Sequence, residues 1–278
     1  MTRRQILEQF RAQIGQGRAL VGSGAGIGLS ARSAELGGAN FLVVYNSGRY
    51  RMAGRSSMAG LMPYGDANAI VLEMGDEILT VVEGIPVLAG VCGTDPFRSM
   101  PRFLAEVKSR GFAGVQNYPT VCLFEGVMRA NLEETGLGFD KEVAMMRHAV
   151  ALDLLTVAYV ADVAEASAMA AAGVDIVVAH LGLTVSAGVG AKTAVDLEEG
   201  ARRVSALRDA AKQARQDVMV MFHGGPVTTA EHAAAVLRQV PGVVGFLGAS
   251  SMERLPAERA ITEQVQSFTA LELGGPPY

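Results

Sequence analysis

Three residues of this chain place a titratable side chain at the end of a short apolar run. They are Asp95, four residues past Val87–Val91; His180, directly after Ile176–Ala179; and His223, directly after Val218–Phe222. Imidazole titrates near neutrality, so two histidines in matching positions suit proton transfer or ligand contact. A lone strand-end histidine is often just a packed core donor, and the pair makes the two readings equal. The other two, His148 and His232, fall inside helical patterns and read as surface or packing residues. Asp95 stands before Pro96, where turn or N-cap duty competes with chemistry. In its chemical reading it moves a proton or orients a metal, and it is the only carboxylate so placed.

A second group suits anions. Asn46–Gly65, NSGRYRMAGRSSMAGLMPYG, carries Arg49, Arg51 and Arg55, the hydroxyls of Ser47, Ser56 and Ser57, four glycines and no acid. It shows neither a helical nor an alternating period, and long aperiodic connections in compact domains are usually functional or disordered. Guanidinium groups without nearby acids suit a phosphate or carboxylate. The stretch therefore reads as an anion-binding lid, with a solvated surface loop as the alternative. Asn46 and Ser47 open it. Gly224 and Gly225, then Gly248, Ser250 and Ser251, follow two later apolar runs and could form a backbone cup for a phosphoryl group. Asn117 could bind a substrate oxygen, and Tyr159 ends another run. Gly24 lies in Gly22-Ser23-Gly24-Ala25-Gly26, where Ile27 stands in place of the third glycine of a dinucleotide fingerprint. This cluster serves either a tight turn or close approach to a ligand.

The elements that must position these groups alternate strand and helix. Strands are expected at Ala19–Ser23, Phe41–Tyr45, Val87–Val91, Gly114–Gln116, Leu154–Tyr159, Ile176–Ala179, Val218–Phe222 and Val243–Leu247. Between them lie helical patterns such as Ser99–Arg110, Asp140–Leu152 and Leu197–Ala214. Strands apolar on both faces are parallel strands covered by helices, and eight such units close a (β/α)8 TIM barrel. Residues 1–18 form an additional amphipathic N-terminal helix with Ile6, Leu7, Phe10 and Ile14 on one side, and nothing divides residues 1–278 into two domains. Polar and glycine residues gather at the strand exits, which in this fold carry the active groups.

Composition bounds the partners. The 278 residues are 50% apolar and 19% charged, with a net charge of −4 and no basic block. That gives no reason to expect a nucleic-acid or anionic-membrane partner. Ala164–Ala191 is apolar enough to suggest a span, but Glu165, Asp175 and His180 interrupt it. Cys92 and Cys122 form no metal motif and read as small buried hydrophobes, in keeping with a soluble, cytoplasmic protein. Glu125, Glu133 and Glu134 read as a solvated face.

The longer strings resemble a family of bacterial and plant TIM barrels called phosphoenolpyruvate hydrolase-like. They are Val44-Tyr45-Asn46-Ser47-Gly48-Arg49-Tyr50-Arg51-Met52-Ala53-Gly54-Arg55, Leu88–Val91 with Gly93–Phe97, Gly111–Asn117, His223–Pro226 and Ser250–Pro256. The resemblance implies kinship with the phosphoenolpyruvate/pyruvate barrels, among them phosphonopyruvate hydrolase, phosphoenolpyruvate mutase and isocitrate lyase. It implies a hydrolase or lyase of a small phosphorylated or phosphonylated α-keto acid, assembled as a homo-oligomer. Those enzymes hold Mg²⁺ with several strand-end carboxylates; here the second strand exits without an acid and only Asp95 follows. Similar barrels also form part of a plant antiviral resistance protein, so a non-catalytic ligand-sensing or partner-binding barrel is the alternative.

Overall fold

A computed structural model describes residues 1–186, 188–272 and 274. Its strands are β1 (Leu20–Gly24), β2 (Phe41–Val44), β3 (Val87–Val91), β4 (Gly114–Asn117), β5 (Leu155–Val160), β6 (Ile176–His180), β7 (Met219–His223) and β8 (Gly245–Gly248). They pair in sequence order, all parallel, and β8 returns to β1, so the sheet is the closed barrel expected from the eight repeats. The helices are α1 (Arg3–Gly15), α2 (Gly28–Leu36), α3 (Asn46–Met52), α4 (Ala67–Ile78), α5 (Met100–Ser109), α6 (Gly126–Glu134), α7 (Phe139–Ala151), α8 (Val163–Ala171), α9 (Leu197–Ala214), α10 (Ala230–Gln239) and α11 (Arg254–Thr269).

Local chemistry accounts for the helix starts. Thr2 and Gln5 form a reciprocal capping box on α1, and Asp162 and Glu165 do the same on α8. Asp66 caps α4 by accepting from the Ala69 amide, and Asp196 caps α9 through Glu199. These side chains satisfy amides that have no partner within the helix. The N-terminal helix buries Ile6 and Phe10, the latter 5.9 Å from the Phe41 ring. Arg3 holds it there through two bonds of 2.9 Å to Asp175, which also accepts from the Thr156 amide and hydroxyl.

One expectation is corrected. The segment after β2 is not an aperiodic lid: it folds into α3 and a 3-10 helix at Ser57–Leu61. Close backbone contact drives this. A Cβ on Gly26 would collide with the Gly48 carbonyl, and one on Gly48 would lie 2.8 Å from Gly26 Cα. The first glycine cluster thus meets the backbone of α3 rather than a ligand. Among the described residues, no helix is long and apolar enough to cross a membrane.

Candidate active site

A cavity of about 200 Å³ lies at the strand-exit end of the barrel, walled by Tyr45, Ser47, Arg51, Ser57, Tyr118, Tyr159, His180, His223 and Ser250. Register explains why the two histidines meet. His180 and His223 are paired residues on β6 and β7, so their side chains leave the sheet on the same face. Their ring centroids are 4.8 Å apart, and the Tyr159 ring lies 4.8 Å from one and 5.0 Å from the other. Tyr118 and Tyr45 continue this aromatic wall, with centroids 4.8 Å apart. Glycines make room for it: a Cβ on Gly90 would collide with the Tyr45 side chain, and one on Gly24 would lie 2.7 Å from its hydroxyl. Gly24 therefore accommodates Tyr45 instead of contacting a ligand.

Burial favours the neutral form of both imidazoles. Burial pushes His180 well below the ordinary histidine value, and the neighbouring His223 adds to this. Burial lowers His223 to about 4, although the Leu247 carbonyl opposes the shift. Burial also raises the tyrosine phenols of the wall, so they stay protonated. The Tyr159 hydroxyl has no hydrogen-bond partner among the described residues. Buried polar groups rarely stay unpaired, and one on a cavity wall points to a ligand or water.

Of the three arginines, only Arg51 reaches this cavity. It is 1% exposed, its Nε donates to Glu253 Oε1 at 2.6 Å, and its guanidinium lies over Tyr45. Nη2 is in ion contact with the same oxygen, also at 2.6 Å, without directing a hydrogen bond at any described acceptor. The second carboxylate oxygen of Glu253 accepts from the Gly26 amide and the Ser30 hydroxyl. Glu253 thus ties α2, α3 and the β8 exit together behind the cavity. Arg49 instead points outward to Glu73 at 3.0 Å, and Arg55 is exposed; neither borders the cavity. Their expected clamping role is corrected on that ground.

Other expected residues are also placed elsewhere. Asp95 borders a separate cavity of about 670 Å³, which shares no wall residue with the first. There it accepts from Asn68, the Phe97 amide and Arg98. Its burial favours the neutral acid, but these donors outweigh it and hold the carboxyl below its usual range. Asn46 borders that second cavity too, donating to the Gly60 carbonyl. Asn117 is fully buried and consumed: it donates to Glu142 and the Tyr159 carbonyl and accepts from the Tyr159 amide. The expected glycine cup is occupied by protein. The Gly225 amide donates to the Gly182 carbonyl, Met252 fills the space beside Gly248, and Ser251 lies off the cavity wall. Ser47 and Ser250 do face the cavity, and Ser250 lies 3.5 Å from Ser57.

Sequence reasoning passed over Tyr45, Tyr118, Glu253 and Glu142. Glu142, on α7, accepts from Asn117, Thr120 and the Val121 amide, and so braces the loop that carries Tyr118. Burial raises its carboxyl to about 7 despite those donors. Glu253 follows the serines of the β8 exit by only two residues, which was the available signal; a helix-borne carboxylate such as Glu142 gives none.

Mg²⁺ takes oxygen ligands, chiefly carboxylates and water, in near-octahedral geometry. The wall of the histidine cavity includes no Asp or Glu, and the oxygens of Glu253 behind it are engaged by Arg51, Gly26 and Ser30. Asp95 has Arg98 against it. Among the described residues, no three His, Cys, Asp or Glu are grouped to hold a metal. The residues present do not fit Mg²⁺.

Comparison with known proteins agrees with this architecture. The tomato (Solanum lycopersicum) ToMV resistance protein Tm-1(GCR237) and ToMV susceptible protein tm-1(GCR26) are each 54% identical over 268 residues, 96% of this chain. That stretch is 36% of each tomato protein, so the chain spans about a third of the length of these relatives. A phosphoenolpyruvate phosphomutase from Streptomyces platensis subsp. rosaceus superposes with a TM-score of 0.62 at 18% identity, covering 95% of this chain and 86% of its own. Phosphonopyruvate hydrolase in complex with oxalate and Mg²⁺ gives 0.57 at 16%, covering 97% and 88%. Likeness at these identities extends to the barrel. The profile of proteins described as phosphoenolpyruvate hydrolase-like matches residues 5–271, and the chain belongs to that family.

Proposed function

We propose that the barrel mouth binds a small oxygen-rich acid and acts on it as a hydrolase or lyase, the substrate being a phosphorylated or phosphonylated α-keto acid. One observation carries the reading: a buried guanidinium, two imidazoles and three serine hydroxyls surround a single cavity of about 200 Å³. That volume suits a molecule of a few carbons. Arg51 supplies positive charge at one side, and charge-assisted hydrogen bonds are the strong ones. The imidazoles supply proton transfer at the other. The wall offers no carboxylate to hold a metal, so the reaction as proposed is metal-independent.

A thermal-shift screen tests this, using phosphoenolpyruvate, phosphonopyruvate, pyruvate and oxalate, each with and without Mg²⁺. A ligand at about 100 times its dissociation constant adds roughly 2.7 kcal/mol, a readable shift. Product assays on the binders then separate enzyme from sensor. A non-catalytic binding barrel is favoured by one observation, the absence of a general-base carboxylate from the cavity wall among the described residues. It predicts binding without product under every condition.

We further infer a homo-oligomer. α11 follows β8, where a barrel helix normally covers the sheet, yet Arg254 is its only buried residue. Ile261, Val265 and Phe268 recur on one face and are 65%, 54% and 64% exposed. Leu29 and Leu36 on α2 are likewise 75% and 79% exposed. A second copy, offering the same two surfaces, is the occupant that satisfies both.

A further inference from the structure

The two histidines are held in opposite tautomers by the backbone. His223 Nδ1 lies 2.6 Å from the Leu247 carbonyl, which can only accept, so Nδ1 carries the proton and Nε2 keeps a lone pair. His180 Nδ1 lies 3.0 Å from the Gly182 amide, which can only donate, so Nδ1 keeps the lone pair and Nε2 carries the proton. Neither Nε2 has a protein partner among the described residues, and both rings wall the same cavity. Glycine builds this asymmetry. Gly182 has φ +96, which lets the β6 exit turn its amide back to His180, and Gly224 has φ +75 and lies so close to the Gly182 carbonyl that a Cβ there would collide with it. The Leu181 amide donates to the His223 carbonyl at 2.9 Å and the Gly225 amide to the Gly182 carbonyl at 2.9 Å, which holds the turn after His180 against the β7 exit on both sides of the Gly182 amide.

We propose that this pair makes the cavity selective for an anion that presents one O–H donor beside one acceptor oxygen, His223 taking the donor and His180 the acceptor. A 2-hydroxy carboxylate meets both from one molecule; an α-keto acid meets them only together with a water. The inference rests on the anion-binding reading above and divides its chemistry. In hydrolysis of a phosphonylated keto acid, the water oxygen bonds to phosphorus as its proton passes to His223 Nε2. The C–P bond breaks, and its electron pair enters the enolate of the departing keto acid. The enolate oxygen accepts a hydrogen bond from His180 Nε2–H. The proton on His223 then goes to the enolate carbon, leaving phosphate and a keto acid from one water.

Long-range ¹H–¹⁵N NMR of ¹⁵N-histidine-labelled protein at pH 7 reads the tautomers directly. His148→Gln and His232→Gln, both outside the cavity, remove the other two signals. The expected result is Nδ1–H for one remaining histidine and Nε2–H for the other, with His223→Gln deleting the Nδ1–H species. Equal or reversed tautomers would overturn the proposal. In EDTA, thermal shifts with L-lactate, pyruvate and propionate test the ligand class. Lactate should bind at least tenfold more tightly than propionate, which has the carboxylate but no hydroxyl, and His223→Gln should reduce that ratio. Equal binding of lactate and propionate sinks the donor–acceptor selectivity while leaving anion binding intact. Failure of all three acids, and of phosphoenolpyruvate and phosphonopyruvate beside them, sinks the anion-binding reading and the ligand class with it.

Discussion

His180 and His223 sit opposite each other in register on β6 and β7, their rings 4.8 Å apart and both enclosed by tyrosine. Two cationic imidazoles could not share that space, and burial keeps each neutral.

Stability should therefore depend on these residues in acid. His223 falls from its ordinary 6.5 to about 4 in the folded chain, so the fold favours the neutral ring. Its contribution is complete above pH 6.5 and is lost as pH falls through 4, amounting to about 3 kcal/mol over that window. Chemical denaturation at pH 7 and pH 4 should show the wild type losing more stability than His223→Gln. Equal losses would show that His223 titrates normally.

Glu142 has the opposite sign. Its carboxyl rises to about 7 through burial, so the folded chain favours the protonated acid. That contribution is full below about pH 4.5 and disappears as pH rises through 7. Relative to Glu142→Gln, the wild type should lose stability between pH 5 and pH 8. Tyrosine fluorescence would follow the accompanying loosening of the Tyr118 loop; a flat difference across this range would remove Glu142 from the account.

The two arginines separate by burial. Arg51→Met strands Glu253 without its charge partner, and breaking a buried pair costs about 3–5 kcal/mol. Arg51→Met combined with Glu253→Gln should recover part of that stability but none of the anion binding, because the cavity has lost its cation. Arg49→Ala breaks only an exposed pair with Glu73, a change of about 1 kcal/mol or less, and should bind every anion as the wild type does. Loss of binding in Arg49→Ala would contradict the placement of the site.

Oligomerisation is checked by light scattering at micromolar concentration. The wild type should give a multiple of the 29.1 kDa chain mass, and Ile261→Lys with Phe268→Asp should shift it toward the monomer. A wild-type monomer, or a double variant with unchanged mass, would leave the exposed face of α11 without this partner.

The repeat of apolar strand and helix was enough to determine the barrel, because burial of a parallel strand on both faces writes itself into consecutive residues such as Ile176–Ala179. The strand exits were legible for the same reason, and with them His180, His223, Tyr159, Ser47 and Ser250. Side-chain direction within the exits was not. Arg49 and Arg51 are two residues apart in one basic string, yet α3, a helix the aperiodic sequence does not announce, turns one to solvent and buries the other. Asn117 ends β4 and Asp95 follows β3 by four residues, but partners from other segments, Asn68 for Asp95 (with Arg98 from its own turn) and Glu142 for Asn117, draw them away from the cavity. Local sequence specifies which backbone groups lie at the mouth of the barrel. Which side chains remain free to meet a ligand depends on hydrogen-bond partners brought from elsewhere in the chain, and only the closed tertiary structure supplies those.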